Sequence, residues 1–327
     1  GPAYYIHVLA ERKRGKKLRH SIIAVLFAIS GLICWCGISQ VISNSVSSAF
    51  ANAFSIPPIV TTVVLVVLSA VIVLRKDATV KSLDVIVPIM AVCYFVMTVI
   101  IIAVNFRQLP AVLGRIFSEA FGLRQVAAGG FGAVLMNGVK RGLFSNEAGM
   151  GSTPHAHALA NVKCPHDQGV VAMIGVFIDT FVVLTLNALV IISTLYTEGG
   201  PLHECGAAAA STTLGKANLA QTAFGVVFGE TAGNMFVAVC LFFFAFSTIL
   251  SWNLFGKINM VYLFGKKSAN VYTLLALIFI FLGTTMSNDL VWELSDMFNN
   301  LMVIPNVIAL FALTKMVVGS AESKLAQ

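Results

Sequence analysis

Residues 142–160, which read GLFSNEAGMGSTPHAHALA, place glycines, a proline, an amide and a carboxyl group inside an otherwise apolar chain. A lipid bilayer tolerates irregular backbone only where protein or a water-filled cavity satisfies the freed N–H and C=O groups. Ionisable groups at membrane depth are functional by default. The stretch therefore predicts a discontinuous helix over 128–160, unwound near 142–152, in which Asn146 and Glu147 line a solute or ion site. A glycine-rich packing helix with a kink is the structural alternative.

The composition is that of an integral membrane protein. Of the 327 residues, 58% are hydrophobic and 11% are charged, whereas soluble domains carry about 25% charged residues. Apolar runs of roughly 20 residues alternate with short polar joints, which indicates spanning helices and not barrel strands. We therefore expect an all-α polytopic membrane protein with about eight transmembrane helices. The predicted spans are 21–39, 58–74, 83–105, 128–160, 168–197, 231–253, 270–286 and 302–318.

The distribution of charge predicts the orientation of the chain. The net charge of +7 is concentrated in residues 1–20 and in alternate joints, and joints rich in Lys and Arg stay in the cytoplasm. We expect a single transmembrane domain over 1–327 in the cell membrane, with a cytoplasmic basic segment at 1–20 and both ends cytoplasmic. A basic run beside a span is typical of such a flank, so nucleic acid is not an expected partner. Residues 41–55 are predicted to be the frayed end of the first span, and 111–124 an interfacial amphipathic helix.

Polar residues in two other apolar runs each admit two interpretations. Asp179 interrupts the run 168–197, and a charge at this depth costs at least ~2.5 kcal/mol on insertion scales, so it faces either a cavity or a partner in another helix. The hydroxyls of Ser247 and Thr248 offer oxygen ligands to a hard cation such as Na⁺, but such hydroxyls also bond to carbonyls of their own helix. The residues alone favour the second interpretation for Ser247 and Thr248 and leave Asp179 open.

The sequence contains no familiar pattern of nucleophilic or metal catalysis. His155 and His157 are two residues apart and do not share a helix face, so they make a poor metal pair and are assigned to a cytoplasmic helix end. The six cysteines lack metal or redox spacing and are interpreted as small apolar fillers. An intramembrane hydrolase built on Asp179 needs a second carboxylate at the same depth, for which Glu147 is the candidate. We therefore expect neither an enzyme nor a bound cofactor.

Several blocks of the chain resemble a known family. They read GPAYYI at 1–6, VPIMA at 87–91, FSNEAGMGS at 144–152, VFIDT at 176–180 and FST at 246–248. In these blocks and their order the chain resembles the alanine or glycine:cation symporter family. The resemblance implies the five-plus-five inverted-repeat fold and coupled uptake of Na⁺ and a small neutral amino acid, alanine or glycine, by alternating access. Members usually have further helices ahead of the first block, so a partial fold is implied, which lacks its first two helices and needs them to complete the site.

The resemblance also assigns residues to the substrate and the ion. The stretch 128–160 corresponds to the unwound sixth core helix, and Ser247 and Thr248 correspond to hydroxyls of the sodium site, which reverses the interpretation from the residues alone. Members commonly have glutamine at the position of Ile42, while Gln40 lies two residues earlier, so either Gln40 compensates or the cargo differs from alanine. The residues implied at the amino acid are Phe144, Asn146, Ala148 and Gly149, with Gln40 and Ile42.

The chemistry leaves the coupling ion open. Glu147 and Asp179 are ionisable groups within apolar surroundings and would titrate if desolvated, so proton coupling is the alternative to Na⁺. A transporter of a different cargo and a truncated fragment that does not transport are the remaining alternatives.

Overall fold

Every regular element in the part of the chain that the structure describes is helical. The structure, a computed structural model, describes residues 1–74, 78–121, 130–203, 218–285 and 288–325. A π-helical turn, Ile178–Val183, joins two of the helices, and 3₁₀ turns cover Phe106–Gln108 and Lys266–Ser268. The helices are α1 (Pro2–Arg14), α2 (Ile22–Phe54), α3 (Pro58–Leu74), α4 (Ala78–Val104), α5 (Leu109–Phe121), α6 (Gly130–Asn146), α7 (Pro154–His157), α8 (Pro165–Phe177), α9 (Leu184–Leu195), α10 (Leu219–Phe228), α11 (Glu230–Phe264), α12 (Ala269–Leu282) and α13 (Asn288–Leu325).

The helix lengths confirm an all-α polytopic membrane protein. Among the described residues, α3 and α12 occupy two of the predicted spans but are only 17 and 14 residues long. The predicted span 128–160 begins outside the described residues and is interrupted where the sequence is glycine-rich. About eight crossings were predicted. Within the described residues, five helices are long and apolar enough to cross a bilayer, namely Ile22–Phe54, Val85–Val104, Pro165–Leu195, Glu230–Phe264 and Leu290–Glu322.

The prediction that 41–55 is a frayed helix end is wrong, because α2 runs without interruption for 33 residues. Two of its serines bond to carbonyls of the same helix: Ser39 Oγ donates to Trp35 O at 2.9 Å and Ser47 Oγ donates to Asn44 O at 3.0 Å. Small polar side chains of this kind lie in buried helix faces at little cost. The helix ends at Phe54, and Ser55, which caps it, has a left-handed φ of 55°.

The predicted interfacial helix is α5, which covers Leu109–Phe121, while the remainder of 111–124 lies outside the described residues. Arg115 forms an ion pair with Glu119, one turn away, at 2.7 Å. The Arg115 guanidinium also donates to Tyr196 O at 2.9 Å, which ties α5 to the end of α9. One face of α5 is therefore charged and anchored, as an amphipathic helix requires.

The core is centred on α2, which packs against α11 and α13. Trp35 is fully buried there, with its ring centroid 6.3 Å from that of Trp252 and 6.1 Å from that of Phe255. At Gly37 a Cβ would lie 2.8 Å from Ser295 Oγ, so even an alanine there would require the Ser295 side chain to move. This tight three-helix contact supports the irregular segment that follows α6.

Candidate functional site

A segment of irregular backbone, residues 147–153, separates α6 from α7 and is called the break below. α6 stays helical to Asn146, so the unwinding expected near 142–152 occupies the second part of that range. Glu147, Gly149 and Gly151 have φ values of 55°, 76° and 83°. Glycine adopts such backbone without a steric cost, whereas positive φ is uncommon for glutamate. The break therefore has a defined turn geometry set by its two glycines.

A glycine is required at 151 because neighbouring side chains pack directly against its backbone, and also because of its positive φ. A Cβ at this position would lie 2.9 Å from the side chains of Phe27 and Pro2 and 3.0 Å from Asn306 Cγ. At Gly142 in α6, by contrast, a Cβ would meet open space. The break is thus held between α1, α2 and α13.

The polar side chains at the start of the break are hydrogen-bonded locally and to the π turn. Asn146 Oδ1 accepts from the backbone N–H of Ala148 at 2.9 Å, and its Nδ2 donates to Thr180 Oγ1 at 3.2 Å. The Ser152 hydroxyl donates to the carboxylate of Glu147. Asn146 therefore holds the turn in place, while Ala148 is exposed and Glu147 is half-buried.

A second asparagine joins the break to α13. Asn306 is buried, and its Nδ2 donates to the carbonyl of Gly149 at 2.8 Å. Its Oδ1 accepts from the hydroxyl of Tyr5 in α1. Both ends of one amide are thus used to connect α1, α13 and the break, and the sequence carried no local signal of this contact.

Asp179 lies in the π-helical turn and faces α6. Its two carboxylate oxygens are 3.0 and 2.9 Å from Oγ of Ser145, which donates its one hydrogen to the carboxylate. Thr180, the next residue, accepts from Asn146, the residue after Ser145. Asp179 thus makes a hydrogen bond to a neighbouring helix, which is one of the two interpretations left open by the sequence, and this bond lies within a few residues of the break.

Phe144 belongs to an aromatic and ionic contact between α6 and α13. Its ring centroid is 5.2 Å from that of Trp292, and the Arg141 guanidinium carbon is 4.6 Å from the centroid of Trp292. Arg141 Nη2 lies 2.6 Å from Asp296 Oδ2. The last span was predicted to begin at 302, and α13 begins at Asn288, so this contact belongs to the helix bundle and not to a joint.

Ser247 and Thr248 lie in α11 and bond to their own helix. Their hydroxyls donate to Phe244 O at 2.8 and 2.9 Å. Among the hydrogen bonds and ion pairs of the described residues, none joins either hydroxyl to the break. Both hydroxyls therefore bond to their own helix, as the sequence favoured before the family resemblance was considered. Each hydroxyl oxygen keeps lone pairs that do not take part in these bonds.

Gln40 and Ile42 lie on different sides of α2. The backbone at Gln40 faces α12, where a Cβ on Gly283 would be 2.7 Å from Gln40 O. Ile42 and Phe144 both border the core cluster that contains Trp35. Residues two apart do not share a helix face. The two side chains therefore do not share a face of α2, and a role for Gln40 at the substrate stays a prediction.

His155 lies in the short helix α7, so its assignment to a helix end stays a prediction as regards the cytoplasm, but its side chain is buried in the core with 1% exposure. Nδ1 lies 2.9 Å from Ser152 O, which can only accept, so Nδ1 carries the proton and donates. Nε2 then accepts from Asn259 Nδ2 at 2.6 Å. The neutral imidazole also stacks on Phe255, with centroids 5.2 Å apart. His157, in contrast, is hydrogen-bonded to Gln168 in the first turn of α8.

Comparison with known proteins identifies the relatives of this chain. The model of the sodium:alanine symporter family matches residues 1–325. The sodium/alanine symporter AgcS of Methanococcus maripaludis is 36% identical over 327 residues, which cover 99% of this chain and 68% of that protein. The amino-acid carrier protein AlsT of Bacillus subtilis is 35% identical over 267 residues, 80% of this chain and 52% of that protein. The probable sodium/glutamine symporter GlnT of Bacillus subtilis is 36% identical over 319 residues, 97% of this chain and 63% of that protein.

These matches bear on the predictions made from the sequence. The alignments span between about half and two thirds of the length of the three relatives named above. The family match begins at residue 1, and it gives no support to the prediction that two helices are missing ahead of Gly1. The family description and the relatives' names point to a multi-pass membrane transporter and not to an enzyme, as predicted. They do not bear on the cytoplasmic location of the two ends.

Proposed function

Because this chain belongs to the sodium:alanine symporter family, we propose that it is part of a secondary symporter that couples Na⁺ to the uptake of alanine or glycine. The observation that carries the proposal is the break at 147–153, an irregular backbone segment beside the aromatic side chain of Phe144. Discontinuous helices of this kind present half-helix ends to ions and to the charged groups of a substrate. The cargo passes the membrane by alternating access around this segment.

The end of α6 supplies a binding group for a cation. The last four carbonyls of a helix have no partner in the same helix, and the helix dipole places partial negative charge there. At Asn146 these carbonyls meet the break, where an ammonium group of an amino acid or a Na⁺ ion finds oxygen ligands. Phe144, Asn146, Ala148 and Gly149 would form the substrate side of this site.

The walls near the site favour a small apolar side chain. Phe144 and Ile42 border the same apolar cluster, and Trp292 covers Phe144 from α13. A glutamine side chain, as in the cargo named for one relative, would need a polar partner, and Ile42 offers none. One methylene in such a pocket changes affinity by only ~1–3 kcal/mol, so discrimination between glycine and alanine is modest.

Ser247 and Thr248 are proposed to hold the coupling Na⁺. Each hydroxyl donates its one hydrogen to Phe244 O and retains oxygen lone pairs, so the observed hydrogen bonds and cation ligation are compatible. Hard cations take hydroxyl, carbonyl and carboxylate oxygens. No resident cofactor is part of the proposal, and the ion is a cargo of the transport cycle.

Proton coupling is the second candidate, and the carboxylate of Glu147 favours it. Glu147 lies inside the break with its carboxylate bonded to Ser152, so its protonation would alter the turn directly. One relative, from a Bacillus species, is named a sodium/proton-dependent alanine carrier protein. Both ions are therefore included in the test.

The test is uptake of [³H]alanine and [³H]glycine by purified protein in liposomes. We expect uptake with an inward Na⁺ gradient, none with choline in its place, and loss of the Na⁺ response in Thr248→Val. Thr314→Val is the matched control, because Thr314 also bonds to its own helix but lies exposed on α13. If uptake is undiminished in choline and follows an imposed pH gradient, the coupling ion is H⁺ and not Na⁺. If neither amino acid is taken up, the proposed cargo is wrong.

A further inference from the structure

A cavity of about 630 Å³ lies where the chain enters its first long span, away from the break. Its walls are α1, the turn at 15–21, the start of α2 and the second half of α13. The wall on α13 is apolar, with Ile308, Ala309 and Ala312, and the wall on α1 continues it with Ile6 and Leu9. The cavity thus has an apolar interior between helices.

The mouth of the same cavity is basic. Lys13 and Arg14, the last residues of α1, line it together with His20. Among the residues that the structure describes, no carboxylate lies within ion-pair distance of Lys13 or Arg14. Further basic residues nearby are exposed, namely Arg12 in α1 and Lys16, Lys17 and Arg19 in the turn at 15–21.

The acidic residue nearest to this cluster in the sequence is already engaged. Glu11 Oε1 accepts from the backbone N–H of Leu18 at 2.8 Å and lies 3.4 Å from His7 Nε2. The first contact closes the turn after Gly15, whose φ of 63° allows the chain to reverse. Glu11 therefore orders the basic turn instead of neutralising Lys13 and Arg14.

Apolar side chains at the rim of the cavity are exposed at the protein surface. Ile22, at the start of α2, is 72% exposed, and Ile308 on α13 is 55% exposed. Both belong to helices long enough to cross the bilayer. An apolar groove open to the hydrocarbon region, with basic side chains at its outer end, matches an amphiphile that has a negatively charged head.

We propose that this cavity binds one anionic phospholipid, with its phosphate at Lys13 and Arg14 and the upper part of an acyl chain along Ile6, Ile308 and Ala312. Basic pockets between membrane helices recognise such head groups. A free phosphate ion would use the basic mouth only and leave the apolar wall empty, whereas each buried CH₂ of a lipid raises the affinity roughly fourfold. The proposal is independent of the transported cargo and of the coupling ion.

The test is native mass spectrometry of the purified protein with phosphatidylglycerol, with phosphatidylcholine, and with inorganic phosphate. We expect one phosphatidylglycerol to be retained in preference to phosphatidylcholine. The double variant Lys13→Gln/Arg14→Gln should weaken it about 30-fold, at ~1 kcal/mol per basic residue near the surface. The matched control is Lys266→Gln/Lys267→Gln, which removes the same charge from an exposed 3₁₀ turn and should have little effect.

A second variant tests the apolar wall without a change of charge. Ala312 is exposed on the cavity wall, so Ala312→Phe fills the groove without disturbing the core and should also weaken phosphatidylglycerol binding. Equal losses of phosphatidylglycerol affinity in Lys13→Gln/Arg14→Gln and in Lys266→Gln/Lys267→Gln would show that the lipid is attracted by surface charge in general, and would overturn the proposal. Binding of inorganic phosphate at the same affinity, unaffected by Ala312→Phe, would replace the lipid by a free anion.

Discussion

Asn306 offers the sharpest test of how the break is held. Its Nδ2 donates to Gly149 O at 2.8 Å, its Oδ1 accepts from Tyr5, and its side chain is buried. Asn306→Leu keeps the volume but leaves a carbonyl and a hydroxyl without this partner, and each unsatisfied buried group costs about 1–3 kcal/mol. We expect a clear fall in the thermal unfolding temperature of the protein in detergent.

The same substitution should weaken substrate binding, because the Gly149 carbonyl would no longer be fixed. A hydrogen bond of about 1–2 kcal/mol that favours the competent geometry corresponds to a loss of roughly 5–30-fold in alanine affinity. The assay is equilibrium binding of [³H]alanine in the presence of Na⁺. Alanine is the proposed cargo, so glycine is measured in parallel.

Tyr5→Phe is the matched control. It removes the bond to Asn306 Oδ1 and leaves the bond from Nδ2 to Gly149 O in place. Thermal stability should fall in this variant too, while alanine affinity should change less than about threefold, since the break keeps its own hydrogen bond. Equal losses of affinity in both variants, or an unchanged affinity in Asn306→Leu, would refute the role given to Asn306.

Two further changes test the surroundings of the break. Gly151→Ala places a Cβ 2.9 Å from neighbouring side chains at a φ of 83°, so we expect this variant to lose alanine binding. Gly142→Ala is the control, because its Cβ meets open space, and it should bind alanine normally. Similar alanine affinities in the two purified variants would contradict the close packing at Gly151. A double-mutant cycle of Arg141→Gln and Asp296→Asn measures the contribution of this ion pair to alanine affinity. We expect a coupling energy of about 1 kcal/mol that falls at high salt, because Arg141 is 46% exposed. Additive effects of the two substitutions would show that the ion pair does not contribute.

Local patterns predicted the features that depend on short stretches of chain. The break was predictable because glycines, a proline and polar side chains occur together within 142–160, and few structures accept that combination at membrane depth. The amphipathic helix α5 was predictable for a similar reason, since Arg115 and Glu119 are one turn apart. In both cases the determining residues are neighbours in sequence.

Features that depend on distant partners were not predictable. His155 resembles a surface residue until α2 and α11 enclose it, and its partner Asn259 is 104 residues away. Asn306 and Tyr5 are 301 residues apart. The serines of α2 suggested a frayed end because serine favours loops, but buried neighbours and bonds to backbone carbonyls outweigh that preference.

The π turn at Ile178–Val183 divides the segment Pro165–Leu195 into two halves that are out of phase. A π turn is equivalent to one residue inserted into an α-helix, and each residue turns the helix by about 100°. The pattern of tolerated substitutions along α8 should therefore not continue in register along α9. Because the wider turn absorbs the extra residue, deleting a single residue within it would restore a regular helix and leave the side chains of α8 and α9 facing their present neighbours. The same deletion inside α8 or α9 would rotate every side chain beyond it by about 100°.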